Sequence, residues 1–204
     1  MITIIDYGLG NINAIVNIYK KLGIFVKIAK FSVDLENVTK IILPGVGSFD
    51  FAINKLNQSG MRNKLDYLIL EKKIPILGIC VGMQIMANSS DEGTVNGLGY
   101  INGHVKKFNT TLFKQKTHLP HMGWNNAEIK QKNPLFAHLQ QKTLFYFLHS
   151  FHFRCNNNQN ILAQTCYGEI FVSAINCENI FGVQFHPEKS HKFGIQLLKN
   201  FAEL

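Results

Sequence analysis

A chain of 204 residues, 46% of them hydrophobic, is long enough for one compact domain with a substantial core and too short for two ordinary ones. That apolar content excludes disorder as the main state, and no apolar run approaches the ~20 residues that cross a bilayer. The formal net charge of +8 raises nucleic acid as a partner, but the lysines are scattered and the longest basic runs are pairs such as Lys20-Lys21, Lys72-Lys73 and Lys106-Lys107. A generally basic surface is therefore expected, with neither nucleic acid nor membrane as partner.

The Met1–Asp6 start has no basic stretch leading into a long apolar one, so no secretory signal is expected and the location expected is cytoplasmic. Thr3–Ile5 reads as a strand closed by the turn Asp6-Tyr7-Gly8-Leu9-Gly10. Ile12, Ile15, Ile18, Tyr19 and Leu22 then recur at helical spacing, with Gly23 as the stop. Ile24–Ala29 reads as a second strand with Ile24, Val26 and Ile28 inward, and 40–43 as a third, cut off by Pro44-Gly45. Helical periodicity returns through Phe49–Leu56 and Met61–Leu70, Ile74–Ile79 is a fourth strand, and a helix begins over Val81–Asn88. Strand and helix alternating in this way predict an α/β fold, a mostly parallel central sheet flanked by helices.

The second half is different. Tyr100–Phe108, Thr143–Phe153, Ile161–Thr165, Ile170–Ile175 and Ile180–Phe185 are strand-like, Gly168-Glu169 marks a hairpin turn, and Phe193–Phe201 closes the chain as a helix. An added antiparallel, hairpin-rich layer is expected, with residues 1–204 forming a single domain.

Four cysteines occur, at 80, 155, 166 and 177, and none lies in a CxxC pair, so neither a structural zinc site nor any other metal is expected. Cys166 and Cys177 sit in apolar, strand-like stretches and read as small core residues.

Cys80 stands in another setting. In Pro75-Ile-Leu-Gly-Ile-Cys-Val-Gly-Met-Gln84 a buried strand runs into the cysteine and then into a helix, with glycines at 78 and 82 to permit a sharp turn. The thiol would stand at the carboxyl end of the sheet and at a helix N-terminus, which favours thiolate. The backbone N–H of Val81 would face an oxyanion formed at Cys80. Taken alone, this cysteine could equally be a core residue ending a strand. In Gly182-Val-Gln-Phe-His-Pro-Glu-Lys-Ser190, His186 follows a strand and Glu188 lies two residues on. The carboxylate can hold one imidazole nitrogen while the other faces a thiol, the nucleophile–base–orienter arrangement of covalent catalysis. Seen alone, His-Pro-Glu could also be a surface turn.

Together, Gly78-Ile-Cys-Val-Gly-Met-Gln84 and Phe185-His-Pro-Glu188 resemble the nucleophile elbow and base segment of the class I, triad-type glutamine amidotransferases, whose fold is flavodoxin-like. Asp6-Tyr-Gly-Leu-Gly-Asn11, Pro44-Gly-Val-Gly-Ser-Phe49, Pro120-His-Met-Gly-Trp-Asn125, Tyr146-Phe-Leu-His-Ser150 and His186-Pro-Glu-Lys-Ser190 are similar to one subgroup, the glutaminase subunits of imidazole glycerol phosphate synthases. The resemblance implies Cys80, His186 and Glu188 as catalytic residues and Val46, Gly47 and Val81 around the oxyanion. It implies Gly45, Gln84, Glu92, Ser150 and Phe151 as substrate-binding residues. Asn11, Met122, Trp124, Tyr146 and Lys189 would face a partner, and His121 and His149 would position or pack. Val81 replaces a usual leucine and Phe151 a common tyrosine. The implied substrate is glutamine, hydrolysed without a cofactor. The implied partner is a TIM-barrel cyclase that receives ammonia in histidine biosynthesis. Two alternatives stay open: an ammonia supplier to a sugar amidotransferase of surface-polysaccharide synthesis, and a catalytically silent module on the same fold.

Overall fold

The computed structural model describes residues 1–113 and 118–204. Its first half runs β1 (Ile2–Ile5), α1 (Ile12–Lys21), β2 (Val26–Ala29), β3 (Ile41–Gly45), α2 (Phe49–Gln58), α3 (Arg62–Asp66), β4 (Ile76–Cys80) and α4 (Val81–Gln84). A π-helical stretch, Tyr67–Glu71, continues α3. The second half runs β5 (Ser89–Ser90), β6 (Gly103–Lys107), β7 (His121–Ile129), β8 (Lys142–His149), β9 (Phe151–Cys155), β10 (Ile161–Tyr167), β11 (Glu169–Cys177), β12 (Ile180–Val183) and α5 (His191–Glu203).

All the strands belong to one sheet, ordered β2-β1-β3-β4-β12-β11-β10-β7-β8, with β5, β6 and β9 attached beside β11. The pairs from β2 to β12 are parallel, and every residue of β1, β3, β4 and β12 is buried. Unbroken apolar runs suit this position because a parallel strand covered on both faces has no solvated side. Along β12-β11-β10-β7-β8 the pairs are antiparallel, so the hairpins extend the central sheet through the β11–β12 pairing; of the attached strands, β9 pairs antiparallel and β5–β6 parallel. The α1 stripe buries Ile15, Val16 and Tyr19, and the Tyr19 hydroxyl donates to Leu198 O of α5 at 3.0 Å.

Several local expectations are corrected. β3 does not stop before Pro44; it continues to Gly45. Beyond Ile42 its pairing with β1 has ended, and Pro44 and Gly45 pair only with Ile79 and Cys80 of β4, so one flank makes no demand on the missing proline N–H. Ile28 is exposed, since β2 is the edge strand and its outer face is open. The helix after Cys80 lasts a single turn, ending at Gln84 instead of reaching Asn88. The stretch from Thr143 to Phe153 is two strands broken at Ser150, and β6 occupies only the end of Tyr100–Phe108. The long strand β7 was not expected: its residues Met122–Asn126 alternate weakly, because the outer faces of β7 and β8 leave Met122, Trp124 and Leu144 exposed. Cys166 is exposed and Cys177 half-buried, both near strand ends, and the buried cysteine outside the Cys80 region is Cys155.

Among the described residues, no helix is long and apolar enough to cross a membrane, and no group of three or more His, Cys, Asp or Glu could hold a metal ion.

Candidate active site

The carboxyl edge of the parallel strands places the site. Gly45 at the end of β3 is in register with Cys80 at the end of β4, and Val183 of β12 with Ile79. Residues just beyond these three strands must therefore meet, and they include the Val46-Gly47 loop, Cys80 and His186. This is the edge at which open α/β sheets bind ligands.

Cys80 has φ 56° and ψ −113°, a left-handed conformation that a non-glycine residue holds only under constraint. The constraint is close packing of the turn against β3. A Cβ on Gly82 would strike Leu43 O, and one on Gly45 would strike Gly82 N. Side chains at either position would push the elbow off the sheet, and a Cβ on Gly78 would crowd Gly82 O and the Met83 backbone, which is why glycines bracket the cysteine.

The base segment is held from below. His186 N donates to Tyr146 O of β8 at 2.8 Å. The Ser190 hydroxyl donates to His186 O at 2.6 Å and accepts from Tyr146 N at 3.0 Å. The ring is oriented by Glu188, whose Oε1 lies 2.9 Å from His186 Nδ1. Both side chains are almost wholly buried, and Glu188 Oε2 is buried with no hydrogen-bond partner among the described residues. With Nδ1 occupied, Nε2 is the nitrogen left for Cys80. Burial alone would lower the imidazole pKa, but hydrogen bonding to Cys80 and Glu188, together with their charges, overrides it and raises the pKa to about 10. Both neighbours thus favour the charged form of the imidazole.

A cleft of about 300 Å³ opens over these residues, lined by Val46, Gly47, Cys80, Val81, Gln84, Glu92, Ser150, Phe151 and His186 among others. That volume suits a free amino acid. The expected catalytic, oxyanion and substrate residues gather here with two exceptions: Gly45 is buried at the end of β3, and Glu188 is buried behind the His186 ring it holds. Glu92 accepts from Phe49 N at 2.8 Å, and burial raises its carboxyl pKa. A larger, open depression of about 650 Å³ lies along 129–141, away from the cysteine, with lysines as its only charged lining.

Of the expected partner-facing residues, three cluster. Trp124 pairs across strands with Tyr146, their rings 6.0 Å apart edge to face, and Lys189 Nζ lies 5.5 Å over the Tyr146 ring. Trp124 also stacks on His191 at 5.2 Å. Met122, 64% exposed, is on the same strand as Trp124, 45% exposed. Asn11 sits apart at the start of α1, exposed. Lys189 also reaches the cleft lining, as do Pro120, Leu148 and His149. Gln184 had no signal in sequence beyond a polar residue inside an apolar strand end, yet it is fully buried beside Cys80.

A buried cysteine on a strained strand–helix elbow shares a cleft with a carboxylate-oriented histidine at the carboxyl edge of a parallel sheet, an arrangement able to carry acyl transfer through a thiol. A family model for class-I glutamine amidotransferases matches residues 3–204, and the chain belongs to that family. Within it, the chain is 52% identical over 204 residues to imidazole glycerol phosphate synthase subunit HisH of Bdellovibrio bacteriovorus, covering 100% of both. It is 49% identical to the subunit HisH of Leptospira interrogans, again over 100% of both. It is 45% identical to the subunit HisH 2 of Methanococcus maripaludis, over 100% of this chain and 99% of that one. Among solved structures, a glutamine amidotransferase superimposes with a TM-score of 0.74 at 17% identity, covering 99% of this chain and 97% of that one. PurLQS from Thermotoga maritima gives 0.72 at 16%, covering 99% and 97%. At such identities these two structures speak for the fold alone.

Proposed function

We propose that the chain, acting as one unit over 1–204, is the glutaminase subunit of an imidazole glycerol phosphate synthase, working in the cytoplasm. The observation that carries the reaction is the position of His186, fixed by Glu188 on one nitrogen and facing Cys80 with the other. Full-length identity to subunits of that name supports the assignment of the pathway, histidine biosynthesis.

In this reading Cys80 Sγ attacks the side-chain amide carbon of glutamine, with its proton held on His186. The C–N bond of the resulting tetrahedral intermediate breaks as His186 returns that proton to the leaving ammonia. Water then attacks the thioester, gives a proton to His186, and the C–S bond breaks to release glutamate and restore the thiol. The Val81 N–H and the Val46-Gly47 backbone are the donors for the oxyanion. Gln84, Glu92, Ser150 and Phe151 hold the amino acid. Ammonia passes to a TIM-barrel cyclase docked on the face of Met122, Trp124, Tyr146 and Lys189, with Asn11 at its margin. The complex as a whole is a lyase.

The test is glutaminase turnover by Cys80→Ala, expected to fall a thousandfold or more on the precedent of triad nucleophiles; glutamate release at the wild-type rate would overturn the nucleophile. Turnover by the isolated chain should be low and rise strongly with the cyclase and its ligand. A second reading keeps the chemistry and changes the recipient to a sugar amidotransferase. Rescue of a histidine auxotroph separates the two.

A further inference from the structure

Gln184 is fully buried on the β12 side of Cys80, where the reaction scheme gives it no part. Its Nε2 lies 3.8 Å from Cys80 Sγ, and its Oε1 lies 2.9 Å from Gln84 Nε2. Gln84 Nε2 in turn lies 2.9 Å from Phe151 O. The polarity of this chain of amides is forced from one end. A backbone carbonyl can only accept, so Gln84 must turn its NH₂ group to Phe151. That group's second N–H then requires the oxygen of Gln184, which leaves the Gln184 NH₂ group facing sulfur. The Phe151 carbonyl is itself held by His149 Nδ1 at 2.8 Å, so the origin of the chain is fixed.

We infer that Gln184 is a further residue of the catalytic machinery: a buried N–H donor to Cys80 Sγ that favours and aims the thiolate. The inference rests on Cys80 being the nucleophile. A thiolate at this position has Gln184 as a donor in addition to His186, while the Leu148 carbonyl at 3.8 Å can accept only from the protonated thiol. Of the other titratable groups near the sulfur, Tyr7 has its hydroxyl engaged with Pro44 O at 2.8 Å and is kept neutral by burial, and Glu92, His149 and Lys189 line the same cleft. The same polarity uses both N–H bonds of Gln84, so what Gln84 offers the cleft is its Oε1, an acceptor suited to an N–H of the substrate. An apolar residue at 184 would fill the space, but the sulfur would keep one donor instead of two.

The test reads sulfur reactivity without glutamine. The full chain is alkylated with iodoacetamide across a pH series, and modification of Cys80 is followed by mass spectrometry, with exposed Cys166 as internal control. Gln184→Met keeps the length and removes the donor. Its Cys80 should alkylate about tenfold more slowly at neutral pH, the effect of losing one hydrogen bond to a charged group. The acid limb of the profile should move to higher pH while Cys166 is unchanged. Gln184→Glu, which turns an acceptor toward sulfur, should be slower still. Wild-type profiles in folded Gln184→Met would overturn the inference. If neither variant folds, the wild-type Gln184 side-chain amide resonances decide. They should move across the pH range in which Cys80 alkylation turns on, and resonances flat across that range would overturn it. Glutamine turnover is scored separately: a chain that hydrolyses none, yet shows the Gln184 dependence, removes the glutaminase reading and keeps this one.

Discussion

His121 and His149, on paired strands β7 and β8, share a hydrogen bond of 3.0 Å between Nδ1 and Nε2 in the protein interior. His149 Nδ1 is spent on Phe151 O, so His149 accepts and His121 donates. His121 Nε2 faces the Asn125 amide at 3.2 Å. Two neutral rings satisfy this chain; a proton on either leaves two donors facing each other. The pair packs among Phe108, Phe147, Phe171 and Tyr167, and burial lowers the His121 pKa from 6.5 to about 4 and that of His149 well below its ordinary value.

This arrangement predicts acid instability of a particular form. The unfolded chain takes up these protons near pH 6.5 and the folded chain only near pH 4 for His121, so stability is full above the first value and falls as pH drops toward the second. Chemical denaturation at steps through this window should show a loss of about 1–3 kcal/mol, reduced in a His121→Asn variant to the part that His149 supplies. A wild-type curve flat through that range would mean the rings are protonated in the fold.

On the alkaline side the sign reverses at His186. Its pKa is raised from 6.5 to about 10, so the stabilisation from its contacts is complete below 6.5 and disappears as pH rises through about 10. Glu188→Gln removes one of the two acidic partners, and the alkaline loss should then begin at lower pH. The same change should cut glutaminase kcat by about a hundredfold or more, since a mis-oriented base is the main defect expected of such a substitution. Unaltered kcat would show that His186 needs no orienter.

Gly82→Ala should destabilise the fold by about 2–4 kcal/mol, because the new methyl group meets Leu43 O on a buried strand that cannot yield. Thermal unfolding checks the stability, and Cys80 alkylation checks whether the elbow has moved. A fully stable, fully reactive variant would refute the packing account of the elbow.

Trp124→Ala tests the docking face. The indole is half-exposed and rests on Tyr146 and His191, so truncation should leave the fold of the isolated chain intact. Affinity for the cyclase should fall by about thirtyfold or more if the ring anchors the interface. Titration calorimetry with the cyclase measures this, and unchanged affinity would move the interface elsewhere.

Much of the site is legible in the sequence because its geometry is local. Glycines at 78 and 82 around Cys80 and the His-Pro-Glu turn announce an elbow and an oriented base from a few neighbouring residues. The parallel half of the sheet is equally legible, since strands buried on both faces need unbroken apolar runs.

What only the tertiary structure decided depends on contacts between distant segments. Ile28 and Cys166 read as interior from their neighbours, yet strand order puts the first on an edge and leaves the second exposed near a hairpin turn. The strand β7 is too mixed in pattern to declare itself without β8 beside it. The approach of Gln184 to Cys80 and the hydrogen bond between His121 and His149, which read in sequence only as positioning or packing residues, were likewise invisible, because a polar residue's meaning inside a fold is set by which donors and acceptors the topology brings within reach of it. Sequence determined the local turn chemistry and the apolar faces; folding chose the partners, since hydrogen bonds and burial act through space and not along the chain.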